Sequence, residues 1–195
     1  MAPVPGGYGG SLGYAQRAGI NGFAGGWLGV GIDEFGNFSN PTEGRIGGPG
    51  FRVDSVAVRG SGAGAAGYAY HAGTNTLAPQ VDNNGAVVPA HHYRIIVDHS
   101  NGVNALVSVE RDVGAGYVTL VAPYDAKAQA GQAVVPNGWL LSYTGSTGGA
   151  TNIHEIDTLR VCATSQVPIY GTHHFDIIVG PSSSTSSAMS VTIVA

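Results

Sequence analysis

Ser100-Asn101-Gly102 separates two apolar-rich runs, His92-Tyr93-Arg94-Ile95-Ile96-Val97-Asp98 and Ala105-Leu106-Val107-Ser108-Val109-Glu110-Arg111. Asn-Gly accepts the positive φ of a tight turn, and β-branched residues fill both flanks. A hairpin is predicted here, and it constrains the rest of the chain to supply partners for an antiparallel sheet. Further strands are predicted at Trp27–Ile32, Phe51–Arg59, Gly114–Val121, Trp139–Tyr143, Ile156–Ala163, His174–Val179 and Ser190–Val194. Residues 1–26 read as loops with one short strand. A serine-rich turn at 182–187 separates the last two strands. No segment carries a convincing helical period. Strands at this density predict an all-β sandwich or barrel.

Composition agrees. The 195 residues suffice for one sizeable domain, with 32 glycines, 43% hydrophobic and only 10% charged residues. Net charge is −4 and Lys127 is the single lysine. Nothing basic invites nucleic acid or anionic lipid. No apolar run approaches the ~18–20 residues that span a bilayer, so no membrane insertion is expected. Met1–Gly7 has neither the charged start nor the apolar core of a signal peptide. The lone Cys162 excludes an internal disulfide and reads as a small buried hydrophobe or the partner of a cysteine elsewhere.

Two segments carry chemistry. The first is "GGWLGVGIDEFGNFSNPTEGR", residues 25–45. Gly31, Asp33 and Phe35 share a strand face, and Asn37 continues it. Asp33 can supply a bidentate carboxylate, Phe35 a carbonyl and Asn37 an amide oxygen to calcium. Asn40 or Glu43 could close the loop. A plain polar turn fits the same spacing. The second is residues 141–161, where Thr144–Asn152 is almost wholly small and polar. Backbone amides and hydroxyls can approach a polyol closely there; a flexible hairpin loop is the plainer reading.

Taken with "GGYGGSLGY" at Gly6–Tyr14, these segments resemble, in order, three parts of the L-type (legume-like) lectins. These are the glycine loop, the Asp-x-Phe-x-Asn metal loop and the late sugar-specificity loop. The nearer likeness is to lectin-like domains of bacterial surface and pilus-associated adhesins. The resemblance implies a concanavalin-like jelly-roll β-sandwich over residues 1–164. Residues 165–195 would form a C-terminal β element or begin a following module, with the boundary near 164–171. It implies Ca2+ held by Asp33, Phe35 and Asn37, closed by Asn40, Glu43 or Asp54. It implies a glycan or polysaccharide site beside the ion, formed by Gly9, Gly10, Phe35, Asn37 and the Gly145, Ser146, Thr147, Gly148, Gly149 loop. The expected setting is a bacterial cell surface, as a homo-oligomer or within a larger assembly.

The chain departs from the family pattern. Gly31 stands where a glutamate would hold a second metal, and Pro41 where an acidic calcium ligand is usual. The family's Ala-Asp-Gly segment lies upstream of its glycine loop, and this chain begins too late to contain it. Either the chain is a fragment lacking N-terminal strands or the fold is rearranged. Two other readings stay open. Gly-Ile-Asp-Glu-Phe is similar to the catalytic strand of jelly-roll β-glucanases, although Asp33 and Glu34 point to opposite faces. A structural subunit could complete its sheet with a neighbour's strand. The pairs His91-His92 and His173-His174 alternate faces and chelate one metal poorly.

Overall fold

The Asn101-Gly102 turn joins its two strands as predicted. Gly102 takes φ +67°, and Asn101 Oδ1 accepts from the Val103 and Asn104 amides at 2.8 and 2.9 Å. The computed structural model describes residues 4–82, 90–163, 172–179 and 188–194. The chain is nearly all β. In order the strands are β1 (Gly26–Asp33), β2 (Ser55–Arg59), β3 (Gly62–Ala63), β4 (Ala66–Gly67), β5 (Tyr70–Gly73) and β6 (His91–Asp98). Then follow β7 (Leu106–Asp112), β8 (Val118–Asp125), β9 (Leu140–Gly145), β10 (Ile156–Ala163), β11 (Thr172–Val179) and β12 (Ala188–Val194). Two short 3-10 turns, Gly9–Ser11 and Ala126–Ala128, are the helical elements among the described residues.

Two antiparallel five-stranded sheets result, in the orders β5-β2-β1-β12-β9 and β10-β11-β6-β7-β8. A miniature β3-β4 pair stands apart. Residues 165–195, expected as a C-terminal β element or the start of a following module, contribute β11 between β10 and β6, and β12 between β1 and β9. The predicted serine-rich turn at 182–187 and the 164–171 boundary lie outside the described residues. Among those residues no helix is long and apolar enough to cross a membrane.

Several boundaries differ from expectation for local reasons. The predicted strand at 51–59 starts only at Ser55, because Asp54 takes φ +50° and breaks the extension. The strand predicted from Gly114 begins at Val118. The Asp112 carboxylate accepts from the Gly114 and Gly116 amides, at 2.7 and 2.9 Å, and curls that stretch into a turn. No strand forms among the described residues before Gly26; one isolated bridge, Arg17 to Ile20, stands in its place.

The periodicity of β1 explains how the site is built. Leu28, Val30 and Ile32 enter an apolar cluster with Val56 and Val58 of β2. Tyr93, Ile95 and Val97 of β6, Val107 and Val109 of β7, and Val121 of β8 complete it from the other sheet. Gly29, Gly31 and Asp33 alternate with those residues and face the opposite way. There Leu12, Tyr14, Phe23, Phe38, Ala57 and Tyr68 form a second buried cluster under the loops. The two glycines make that cluster possible. A methyl group at Gly29 would stand 2.5 Å from Tyr14 Cγ, and one at Gly31 would stand 2.7 Å from Phe38 Cε1. Strand β1 is therefore buried on both faces.

Candidate functional site

Three loops meet where β1 and β9 end. The glycine loop is wound by Gly6 N–H to Gly13 O, Gly13 N–H to Gly7 O and Gly7 N–H to Ala15 O. Two close approaches place it. A side chain at Gly10 would stand 3.2 Å from Asn37 Cγ, and one at Gly13, which has φ +74°, would stand 2.8 Å from Thr144 Cβ. Thr144 Oγ1 donates to Leu12 O at 2.7 Å, and Gly9 N–H donates to Ser146 Oγ at 2.6 Å. These two bonds dock the 144–150 segment onto the glycine loop.

The second loop leaves β1 at Asp33. Its base is closed by Asp54 N–H to Glu34 O and Arg52 N–H to Gly36 O. Asp33 is buried. Its Oδ1 accepts from Gly36 N–H at 2.8 Å and its Oδ2 from Phe38 N–H at 2.6 Å. Burial pushes its carboxyl up to about 6, against the pull of those amides and of the Arg45 charge. Phe38 fills the loop from within. The wholly buried Arg59 secures it, donating to the carbonyls of Phe38, Ile46, Tyr68 and Gly47. Burial lowers the Arg59 guanidinium to about 10, with the Arg45 charge adding to the effect. The four carbonyls satisfy a cation that has no carboxylate within its hydrogen bonds.

Between the loops lies a cavity of about 230 Å³. Drug-sized sites run to ~300–1,000 Å³, so this one suits a ligand of about one ring. Its lining brings together Gly9, Gly10, Asp33, Phe35, Asn37, Glu43, Ser146, Thr147, Gly148 and Gly149. All of these are site residues expected from sequence. The Phe35 ring is 50% exposed and packs edge-to-face on Phe51, with centroids 5.5 Å apart. An apolar face with a few polar groups around it is the usual composition of a small-molecule site.

Other expected residues fall elsewhere or act differently. Gly145 is not in the lining; it ends β9 under the His154 ring. Asn40 is not in the lining either. Its Nδ2 donates to Asn37 Oδ1 at 3.1 Å, and its carbonyl accepts from Arg45 Nε at 3.0 Å. The Gly9 amide, expected to face a sugar, is taken by Ser146. Asp54 turns the other way, accepting from Gln80 Nε2 and from Val81 N–H. His91 is buried and His92 half-buried, as alternate faces require. Cys162 is half-buried on edge strand β10 rather than in the core.

The calcium donor set does not fit as expected. Both Asp33 oxygens accept backbone amides, and Asn37 Oδ1 accepts from Asn40. The Glu43 carboxylate is held by two cations, Arg17 at 2.7 Å and Arg45 at 3.0 Å. Calcium needs six to eight oxygens, and here the Asp33 and Asn37 oxygens each share their lone pairs with an N–H donor while Glu43 is neutralised by two guanidinium groups. Among the described residues no three His, Cys, Asp or Glu side chains gather as a metal group.

Sequence reading missed the arginines. Arg17 lines the cavity, with its guanidinium carbon 4.2 Å from the Tyr8 ring centroid. Arg45 shares the Glu43 carboxylate with it, and Arg59 holds the loop carbonyls. The available signal was scarcity: eight basic residues in the whole chain, with Arg45 two residues after Glu43. No protein family, curated protein or solved structure matches this chain.

Proposed function

We propose that this chain is a carbohydrate-binding module of the L-type lectin kind, serving adhesion at a bacterial cell surface. In this reading the two sheets form a jelly-roll β-sandwich. The chain passes from β5 in one sheet to β6–β8 in the other, returns at β9, leaves for β10 and β11, and ends at β12. The observation that carries the proposal is convergence. Segments around residues 9, 35 and 147, far apart in sequence, line one ring-sized cavity with an exposed phenyl face at its edge.

The module binds without catalysis. Asp33 and Glu43 are the carboxylates of the lining. Amides hold the first and guanidinium groups the second, an arrangement that supports binding over hydrolysis. A glycan array, read with and without chelator, tests the proposal. Saccharide binding that Phe35→Ala and Asn37→Ala abolish is expected. Release of reducing ends from β-glucans would instead favour a hydrolase.

One observation favours a second reading, a structural subunit that pairs with a neighbour's strand. Strands β9 and β10 are sheet edges, and Leu140, Leu159 and Val161 on them are exposed. A silent array together with concentration-dependent assembly would support it.

A further inference from the structure

We propose that Arg45 takes the place of a metal ion in this site. Its guanidinium is a built-in cation that closes the 40–45 segment against the glycine loop, so the cavity takes shape without a divalent ion. The side chain is fully buried, at 0% exposure. Nε donates to Asn40 O at 3.0 Å, and Nη2 donates to Thr42 Oγ1 at 3.0 Å. Nη1 donates to Ser11 Oγ at 3.1 Å and to Glu43 Oε2 at 3.0 Å. The oxygens gathered are a backbone carbonyl, two hydroxyls and a carboxylate. The carboxylate and the carbonyl are donor types a calcium ion collects, and all four oxygens are held here by one planar fork.

The charges agree. Arg45 and Arg17 share the Glu43 carboxylate, and Arg45 also draws on buried Asp33. A calcium ion placed among Asp33, Asn37 and Glu43 would face two guanidinium groups. It would also have to share the two Asp33 oxygens with the Gly36 and Phe38 amides. The glycine loop closes over Arg45, since a side chain at Gly10 would stand 3.3 Å from its Cζ. One cation thus joins the glycine loop to the loop that follows β1.

The test is thermal unfolding of the whole chain in millimolar calcium chloride and in chelator, with calorimetric titration of calcium. An ion bound with a micromolar constant would raise Tm by roughly 8–16 °C at millimolar calcium. The expected wild-type Tm is the same in both buffers, with no heat of binding. Arg45→Ala is expected to unfold several degrees lower and to regain part of that loss in calcium, because it leaves the Asn40, Ser11 and Thr42 oxygens without a cation and Glu43 with Arg17 alone. A calcium-dependent rise in wild-type Tm would overturn the proposal. So would an Arg45→Ala protein as stable as wild type, or one indifferent to calcium. If Arg45→Ala does not fold, Arg45→Gln replaces it in the same comparison. No readout involves a saccharide, so this result stands apart from the lectin reading.

Discussion

Replacing Gly31 by alanine tests why that strand position has no side chain. The new methyl would stand 2.7 Å from Phe38 Cε1 and nearer still to Cδ1. Phe38 cannot swing away easily. Its ring is 0% exposed, its amide is bound by Asp33 Oδ2 and its carbonyl by Arg59 Nε. Overpacking at such a place costs about 1–3 kcal/mol, and the upper part of that range applies where the neighbour is held. Against it, Gly→Ala restrains the unfolded chain and returns about 0.4–1 kcal/mol. The clash wins, by roughly 1–2.5 kcal/mol. For a chain of this size that is a fall in Tm of roughly 2–10 °C. The double-mutant cycle with Phe38→Ala sharpens the test. Phe38→Ala alone should cost about 3–5 kcal/mol, but with the ring gone alanine at 31 meets no clash. Its effect should become neutral or slightly stabilising, giving a coupling of roughly 1–3 kcal/mol. Calorimetry or denaturant titration of the four proteins reads it. A Gly31→Ala protein with wild-type stability would refute the argument, and so would a cycle additive within about 0.5 kcal/mol.

Other outcomes follow from the same geometry. Asp33 has a folded-state carboxyl raised by burial to about 6, so its contribution is fully present below the ordinary carboxylate value of 3.8 and is lost as pH rises through about 6. Wild type should lose stability relative to Asp33→Asn between those two pH values, and a flat difference curve would contradict the burial. His71 behaves oppositely: burial lowers it from 6.5 to about 4, so its contribution is present above 6.5 and lost as pH falls toward 4. His71→Phe should remove that acid-side loss in a pH series of melting curves. Ser146→Ala removes the oxygen that accepts Gly9 N–H, with an expected cost of about 1 kcal/mol or less in stability and a clear loss of saccharide affinity on the array. Arg59→Lys cannot reach four carbonyls with one ammonium, so it should lower Tm by several degrees more than an exposed Arg→Lys control such as Arg160→Lys.

Much of the β framework was legible in sequence. The hairpin around Asn101-Gly102 and the strand at Ile156–Ala163 were placed by local pattern and turn chemistry. The strands that moved did so where one carboxylate or one positive φ intervened, as at Asp112 and Asp54. In β1 the apolar run concealed an alternation of large and small residues. Leu28, Val30 and Ile32 face one cluster, while Gly29 and Gly31 make room for the rings of Tyr14 and Phe38. Sequence reading took Gly31 as a missing metal ligand; packing supplies the nearer reason for its size.

Sequence by itself determined the all-β character, the low charge, and the three segments rich in glycine and oxygen side chains. Those properties are set by neighbours along the chain, where period, turn residues and composition act. Tertiary structure alone decided that the segments meet. The bond from Gly9 to Ser146 joins residues 137 positions apart, and no local pattern encodes such a distance. It also decided which groups engage the oxygens expected to bind calcium: backbone amides for Asp33, and the guanidinium groups of Arg17 and Arg45 for Glu43. An arginine on the surface and one fully buried read identically in sequence. Only burial turns the second into the fixed charge on which the loops close.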